Sequence, residues 1–242
     1  TLQLPLFAIG GVLVGALIFS QKWVHYFEDV LYQDEIVYAE ETQYQRIIVT
    51  RWKDDVRLFL NGHIQFSSVD EFRYHEPLVH TAIPAFPAPV RKALVLGGGD
   101  GLVVRELFKY TSITDIDLVD IDPGITELAK SNPFIRSLNE DSMLDERVDI
   151  FHTDGMQFLQ DTKERYDIII VDLPDPNVPA LSKLYSTAFY TLILRRLTES
   201  GVFITQASSP YFAPEAFWCV VHTIEATFDE SPSVSEHTTV PL

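Results

Sequence analysis

Residues 95–101 read Val95-Leu96-Gly97-Gly98-Gly99-Asp100-Gly101, and this stretch decides the fold. An apolar run at 93–96 leads into it, and a helical pattern leaves it over 102–110. Strand, glycine turn and helix is the geometry that brings backbone N–H groups close to a nucleotide-like ligand. Asp100 is the unusual member. A carboxylate inside a phosphate-binding loop would repel its ligand, so the loop expects a positive group such as an amine or a sulfonium.

Working outward from the loop, strands and helices alternate from residue 92 onward. Strands are expected at 93–96, 116–119, 148–151, 168–171 and 202–206, and helices at 102–110, 123–131, 155–162, 187–197 and 214–227. Continuously apolar strands separated by helices imply an α/β fold, a mostly parallel sheet covered on both faces. Such sheets bind ligands at the carboxyl ends of their strands. Upstream the pattern changes. Strand-like runs at 46–52 and 56–60 flank Lys53-Asp54-Asp55, and Asn61-Gly62 turns into a third at 63–66. Ser68-Val69-Asp70-Glu71 resembles a helix start, and Pro84, Pro87 and Pro89 break the chain before the glycine-loop strand. The expected division is a hydrophobic segment over 1–22, a connector and small β-hairpin domain over 23–68, a catalytic α/β domain over 69–228, and a tail over 229–242.

Composition bounds the function. The chain has 242 residues, 46% hydrophobic, and a formal net charge of −17. That balance excludes a nucleic-acid binder, which needs basic faces, and suits a cationic substrate, although solubilising acidity explains it equally well. The single cysteine, Cys219, excludes an internal disulfide and a cysteine-cluster zinc site, and its apolar neighbours suggest a buried thiol. Residues 4–19 carry no charge. At ~1.5 Å per residue they reach about 24 Å, short of a ~30 Å hydrocarbon core, while Trp23, Tyr26 and Lys22 follow like interfacial anchors. Residues 4–20 read as the end of a membrane region, or else as a buried or partner-covered helix. The chain opens at Thr1 rather than Met, which suggests a fragment.

Six acids fall at expected strand ends: Asp100 after the first strand, Asp120 and Asp122 after the second, Asp154 after the third, and Asp172 and Asp175 after the fourth. All would crowd one rim, which must then hold a cation or a metal; an organic cation already explains Asp100. Individually, several have plainer readings. Asp154 could cap the following helix, and Asp122 could initiate a turn. Asp120 stands where a carboxylate binds ribose hydroxyls. His75, at a helix start, reads structurally as easily as functionally, and Gln206 could line a pocket or satisfy backbone groups.

Several of these stretches together resemble the spermidine synthase (polyamine aminopropyltransferase) family. They are G-G-G-D-G at 97–101, V-D-I-D at 119–122, D-G at 154–155, Y-D-x-I-I-x-D at 166–172 and D-x-x-D-P at 172–176. D-E-F-R-Y-H-E at 70–76 and L-Y-S-T-A-F-Y at 184–190 belong with them, so the match runs from about Tyr44 to Phe228. The Asp172-Leu-Pro-Asp175-Pro form, residues 209–218 and the apolar N-terminus resemble the bacterial membrane-attached members, which implies a place at a bacterial inner membrane with the catalytic domain in the cytoplasm.

The resemblance implies a Rossmann-like sheet of the class I methyltransferase type, a homodimer, and aminopropyl transfer from decarboxylated S-adenosylmethionine to putrescine, with no metal. By family match Gln45, Gly97, Gly99, Asp100, Asp120 and Asp154 bind the donor. Asp100 would hold its terminal amine, Asp120 the ribose and Asp154 the adenine amine. Asp172 matches the proposed base, and Tyr74, His75 and Asp175 match the acceptor site. Family members continue past the end of this chain, so its acceptor pocket is expected to be incomplete. Two rivals remain: a methyltransferase using intact S-adenosylmethionine, and a membrane-attached polyamine-binding module without turnover.

Overall fold

The computed structural model describes Tyr32, residues 34–174 and residues 179–229. The first part is an antiparallel sheet in the order β1-β2-β3-β4, formed by Glu35–Glu41, Arg46–Trp52, Asp55–Leu60 and His63–Ser67. Asn61 and Gly62, both at positive φ, make the β3–β4 turn that Asn-Gly specifies. β1 lies within the span expected to be a connector. Its sequence, E-I-V-Y-A-E-E, is too acidic to announce a strand. It forms because β2 supplies an apolar edge (Ile47, Ile48 and Val49 are buried) for it to pair with.

Helix α1 (Phe72–His80) leads to the second sheet. Its five strands are β5 (Lys92–Gly97), β6 (Asp115–Val119), β7 (Val148–Phe151), β8 (Tyr166–Asp172) and β9 (Leu197–Thr205). They are all parallel, in the order β7-β6-β5-β8-β9. The helices between are α2 (Leu102–Leu107), α3 (Pro123–Ser131), α4 (Pro133–Asn139), α5 (Gly155–Asp161), α6 (Pro179–Ser182) and α7 (Thr187–Arg196), and α8 (Pro214–Asp229) follows β9. The fold is Rossmann-like.

The apolar strands are explained by their two faces. Ala93 and Val95 of β5, with Ile168 and Ile170 of β8, pack with α1, α2 and α3 and with Ile47 of the N-terminal sheet. Their neighbours Leu94, Leu96, Ile169 and Val171 pack on the other side with Leu159, Phe189, Tyr190 and Val220. Side chains alternate along a strand, so a sheet covered twice must be apolar at every position. Each such Leu, Ile or Val contributes about 1.5–3 kcal/mol on burial.

The chain runs from β5 outward to β6 and β7, then crosses to β8 on the other side. The switch point therefore lies between β5 and β8, with Gly97 directly opposite Asp172.

The expected place at a bacterial inner membrane is corrected here. Among the described residues no helix is long and apolar enough to cross a membrane, and residues 4–20, on which the expectation rested, lie outside the described residues. Cys219 is exposed, not buried as its apolar neighbours suggested. It faces outward from α8, whose other side carries Val220 and Val221 into the core.

Candidate functional site

The glycine loop is shaped by what presses on it. Gly97 has φ +83, and a Cβ there would stand 1.9 Å from the carbonyl oxygen of Asp172. Gly99 leaves room for the next strand end, since a Cβ would come within 2.5 Å of Asp120 Oδ2. Only glycine lets β5, β6 and β8 bring their carboxyl ends this close. From behind, Asn139 donates to the Asp100 carbonyl (2.9 Å) and Ser142 to that of Gly101 (2.9 Å). Asn139 ends α4, a helix absent from the sequence reading, and Ser142 follows it.

Three carboxylates converge at this point. Asp100 accepts from the Leu102 N–H at 2.9 Å through one oxygen. Burial pushes its carboxyl up to about 6; His75 nearby opposes the rise and Asp172 adds to it. Asp120 accepts from the N–H groups of Asp122 (2.8 Å) and Gly99 (3.2 Å), and burial pushes it also to about 6. Asp172, at the end of β8, accepts from the Tyr74 hydroxyl at 2.7 Å. Burial and that carboxylate hold the Tyr74 phenol well above its ordinary range.

Tyr74 and its neighbour His75 come from α1 and line a cleft of about 400 Å³ together with Phe66, Gln65, Gln206 and Ala207. Gln206 does both things its position suggested: it borders the cleft and donates to the Leu173 carbonyl. The Tyr185 hydroxyl donates to the Pro174 carbonyl at 3.0 Å, so two side chains hold the backbone that follows Asp172.

The remaining expected residues are engaged otherwise. Asp154 caps α5, accepting from Met156 (3.0 Å) and Gln157 (3.2 Å), and its second oxygen pairs with Lys183 at 2.6 Å. Burial would raise Asp154, but Lys183 and the cap hydrogen bonds hold it below its ordinary value. Gln45 donates to Asp122 at 2.8 Å. Asp122, fully buried, also accepts from Thr42 (2.9 Å) and caps α3 through Gly124 (3.0 Å). The loop between β1 and β2 is thereby tied to the end of β6. Asp175 lies outside the described residues.

Sequence reasoning missed the layer behind His75. Glu71, buried at the N-terminal end of α1, takes a two-pronged ion pair from Arg105 of α2, at 2.9 and 3.0 Å. Among the described residues no group of three or more His, Cys, Asp or Glu side chains could hold a metal ion.

A glycine loop carrying a carboxylate, with a Tyr–Asp pair across the switch point, suits a cationic ligand. The family model described as "Spermine/spermidine synthase domain" matches residues 71–241. The chain belongs to the spermine/spermidine synthase family. Among its relatives, a polyamine aminopropyltransferase of Leptospira interrogans is 48% identical over 206 residues, 85% of this chain and 41% of the relative. Another, from Oceanobacillus iheyensis, is 46% identical over 90% of this chain and 43% of its own length. The chain thus spans about two fifths of those family members.

Solved structures of the family agree in fold. A spermidine synthase in complex with the transition state analogue AdoDATO superposes with a TM-score of 0.74 at 27% identity, covering 80% of this chain and 65% of that one. The spermidine synthase from Thermotoga maritima gives 0.72 at 27% identity, over 80% and 64%.

Proposed function

We propose that the protein transfers the aminopropyl group of decarboxylated S-adenosylmethionine to putrescine, giving spermidine and methylthioadenosine. The observation that carries this reading is the Tyr74–Asp172 hydrogen bond at the switch point, beside the glycine-loop carboxylate of Asp100. The names of the family relatives support it. In this reading residues 69–228 form the catalytic domain, and the domain over 23–68 closes on the donor through the loop that carries Gln45.

Asp100 takes the donor's terminal ammonium, Asp120 the ribose hydroxyls, and Asp154 the adenine amine. Gln45 borders the donor, while Gly97 and Gly99 keep side-chain volume out of its place. Tyr74, His75 and Asp175 hold the acceptor. The acceptor nitrogen attacks the methylene next to sulfur. A C–N bond forms as the C–S bond breaks, and its electron pair leaves with sulfur as a neutral thioether, so no oxyanion hole is needed. Asp172 takes the proton that the nitrogen must shed. With a nucleophile pKa around 10, freeing the lone pair at pH 7 costs about 4 kcal/mol, which is what a base at the nitrogen offsets. Alignment of amine, methylene and sulfur supplies about 7–11 kcal/mol.

The test is methylthioadenosine release with a panel of diamines, putrescine among them. Release that depends on the diamine supports the reading; no release with any acceptor removes it. We also read the protein as a homodimer, supported by the exposed apolar side chains of Ile64, Val69 and Phe72 beside the N-terminal sheet. A monomer mass by light scattering would overturn that.

A further inference from the structure

His75 is almost wholly buried, yet it borders the cleft. Its two ring nitrogens face different surroundings. Nδ1 lies 2.8 Å from Glu71 Oε2 and 3.0 Å from the Glu71 carbonyl oxygen, one helical turn back. Both are acceptors, so Nδ1 must carry a proton. Glu71 is in no position to supply one. Burial alone would raise its carboxyl, but the hydrogen bond with His75 and the Arg105 guanidinium hold it at about 2.

Arg105 is itself fixed. It meets both oxygens of Glu71, the Leu138 carbonyl at 2.8 Å, and Glu106 from two nitrogens, each at 2.9 Å. That makes five contacts, as many as a guanidinium has N–H groups, and arginine does not deprotonate. The arrangement is rigid from α2 through Glu71 to the imidazole. The other nitrogen, Nε2, meets no hydrogen-bonding group of the described residues, and the ring borders the cleft. Burial would lower the His75 imidazole, but the Glu71 hydrogen bond and the Asp100 and Asp172 carboxylates hold it above its ordinary value, so Nε2 sheds its proton only above that pH.

We infer that Glu71 and Arg105 are positioning residues that pin the His75 proton to Nδ1, so that in the neutral ring the Nε2 lone pair accepts an N–H of the incoming amine. The inference rests on the aminopropyl-transfer reading for the identity of that amine. A histidine with the opposite tautomer would present an N–H to the amine, donor against donor. An amine entering with its lone pair aimed at the donor must place its N–H bonds on acceptors; Asp172 and Nε2 then supply two. Arg105 does not border the cleft; Glu71 does, but its carboxylate is spent on Arg105 and Nδ1, so both act through the imidazole.

The first test is the 15N spectrum of the His75 ring in the wild-type protein, at a pH where the ring is neutral. A proton on Nδ1 is expected; a proton on Nε2 overturns the inference without reference to activity. The second is Glu71→Gln, which keeps shape but loses the charge that Arg105 grips, so the ring is held less firmly while the main-chain carbonyl still accepts from Nδ1. It should raise KM for the diamine about tenfold, with KM for the donor within twofold. An unchanged diamine KM would overturn the inference. Arg105→Lys, which keeps the charge and loses the fork, should raise the diamine KM in the same direction, three- to tenfold. This second variant serves if Glu71→Gln does not fold, and an unmoved diamine KM in it counts against the relay. Absence of methylthioadenosine release by the wild type would remove the transfer reading and the amine half of the inference, while the tautomer spectrum judges the rest.

Discussion

Asp100→Asn should make the ligand-free protein more stable at pH 8 and worse at its task. The Asp100 carboxyl holds its proton up to about 6 in the fold, against an ordinary value of 3.8. The cause is chiefly burial, joined by the Asp172 carboxylate. A folded-state value raised in this way means that the protonated form favours the fold. Its contribution is complete below pH 4 and is lost as pH rises through 6. A gap of about two pH units at 1.36 kcal/mol each comes to about 3 kcal/mol as an upper limit. Asparagine keeps the oxygen that accepts from Leu102 and never ionises. The variant should therefore match the wild type near pH 4 and exceed it by up to about 3 kcal/mol at pH 8. In a chain of this size that is about 6–12 °C in Tm. Thermal unfolding of both proteins at pH 4, 6 and 8 reads it directly. Calorimetry should show the same variant binding decarboxylated S-adenosylmethionine at least tenfold more weakly, for want of the carboxylate. A variant that melts at or below the wild type at pH 8 would refute the reasoning, because the carboxylate would then not be held against its own preference.

Three further outcomes are expected. Asp172→Asn should lower turnover by about 10²–10⁴, the range for a lost general base, while leaving donor affinity within a few-fold; loss of donor binding instead would take Asp172 out of the base role. Lys183→Gln frees the second oxygen of Asp154 and should tighten donor binding by up to about fivefold, since half-exposed pairs are worth at most ~1 kcal/mol; weaker binding by calorimetry would count against a competing role for Lys183. Gly97→Ala places a Cβ against the Asp172 carbonyl at positive φ and should cost about 3 kcal/mol or more by denaturant unfolding; a variant of wild-type stability would mean that β5 and β8 are not so closely apposed.

The α/β sheet was legible because its signals are local. Residues 93–96 and 168–171 are apolar at every position, and the glycine loop has no other ready reading. What escaped depended on partners distant in sequence. β1 is acidic and forms only because β2 offers an edge. β9 begins at Leu197 and runs through Thr198-Glu199-Ser200-Gly201, which reads as a turn. Its pairing with Tyr166 draws that stretch into the sheet. Helix α4 is announced by Asn132-Pro133, an N-cap followed by proline, a signal overlooked because the helix is only seven residues long. In the site, the type and strand-end position of Asp100, Asp120 and Asp172 could be read from spacing. The Lys183 partner of Asp154 and the Arg105 partner of Glu71 could not. They are separated by 29 and 34 residues, and no periodicity connects them.

The central claim is that an acidic loop selects a donor whose terminal amine stands without a carboxylate beside it. Calorimetric titration of the protein with decarboxylated and with intact S-adenosylmethionine at pH 8, where Asp100 is ionised, tests this most directly. The decarboxylated donor should bind at least tenfold more tightly, and equal or tighter binding of the intact one would contradict the account.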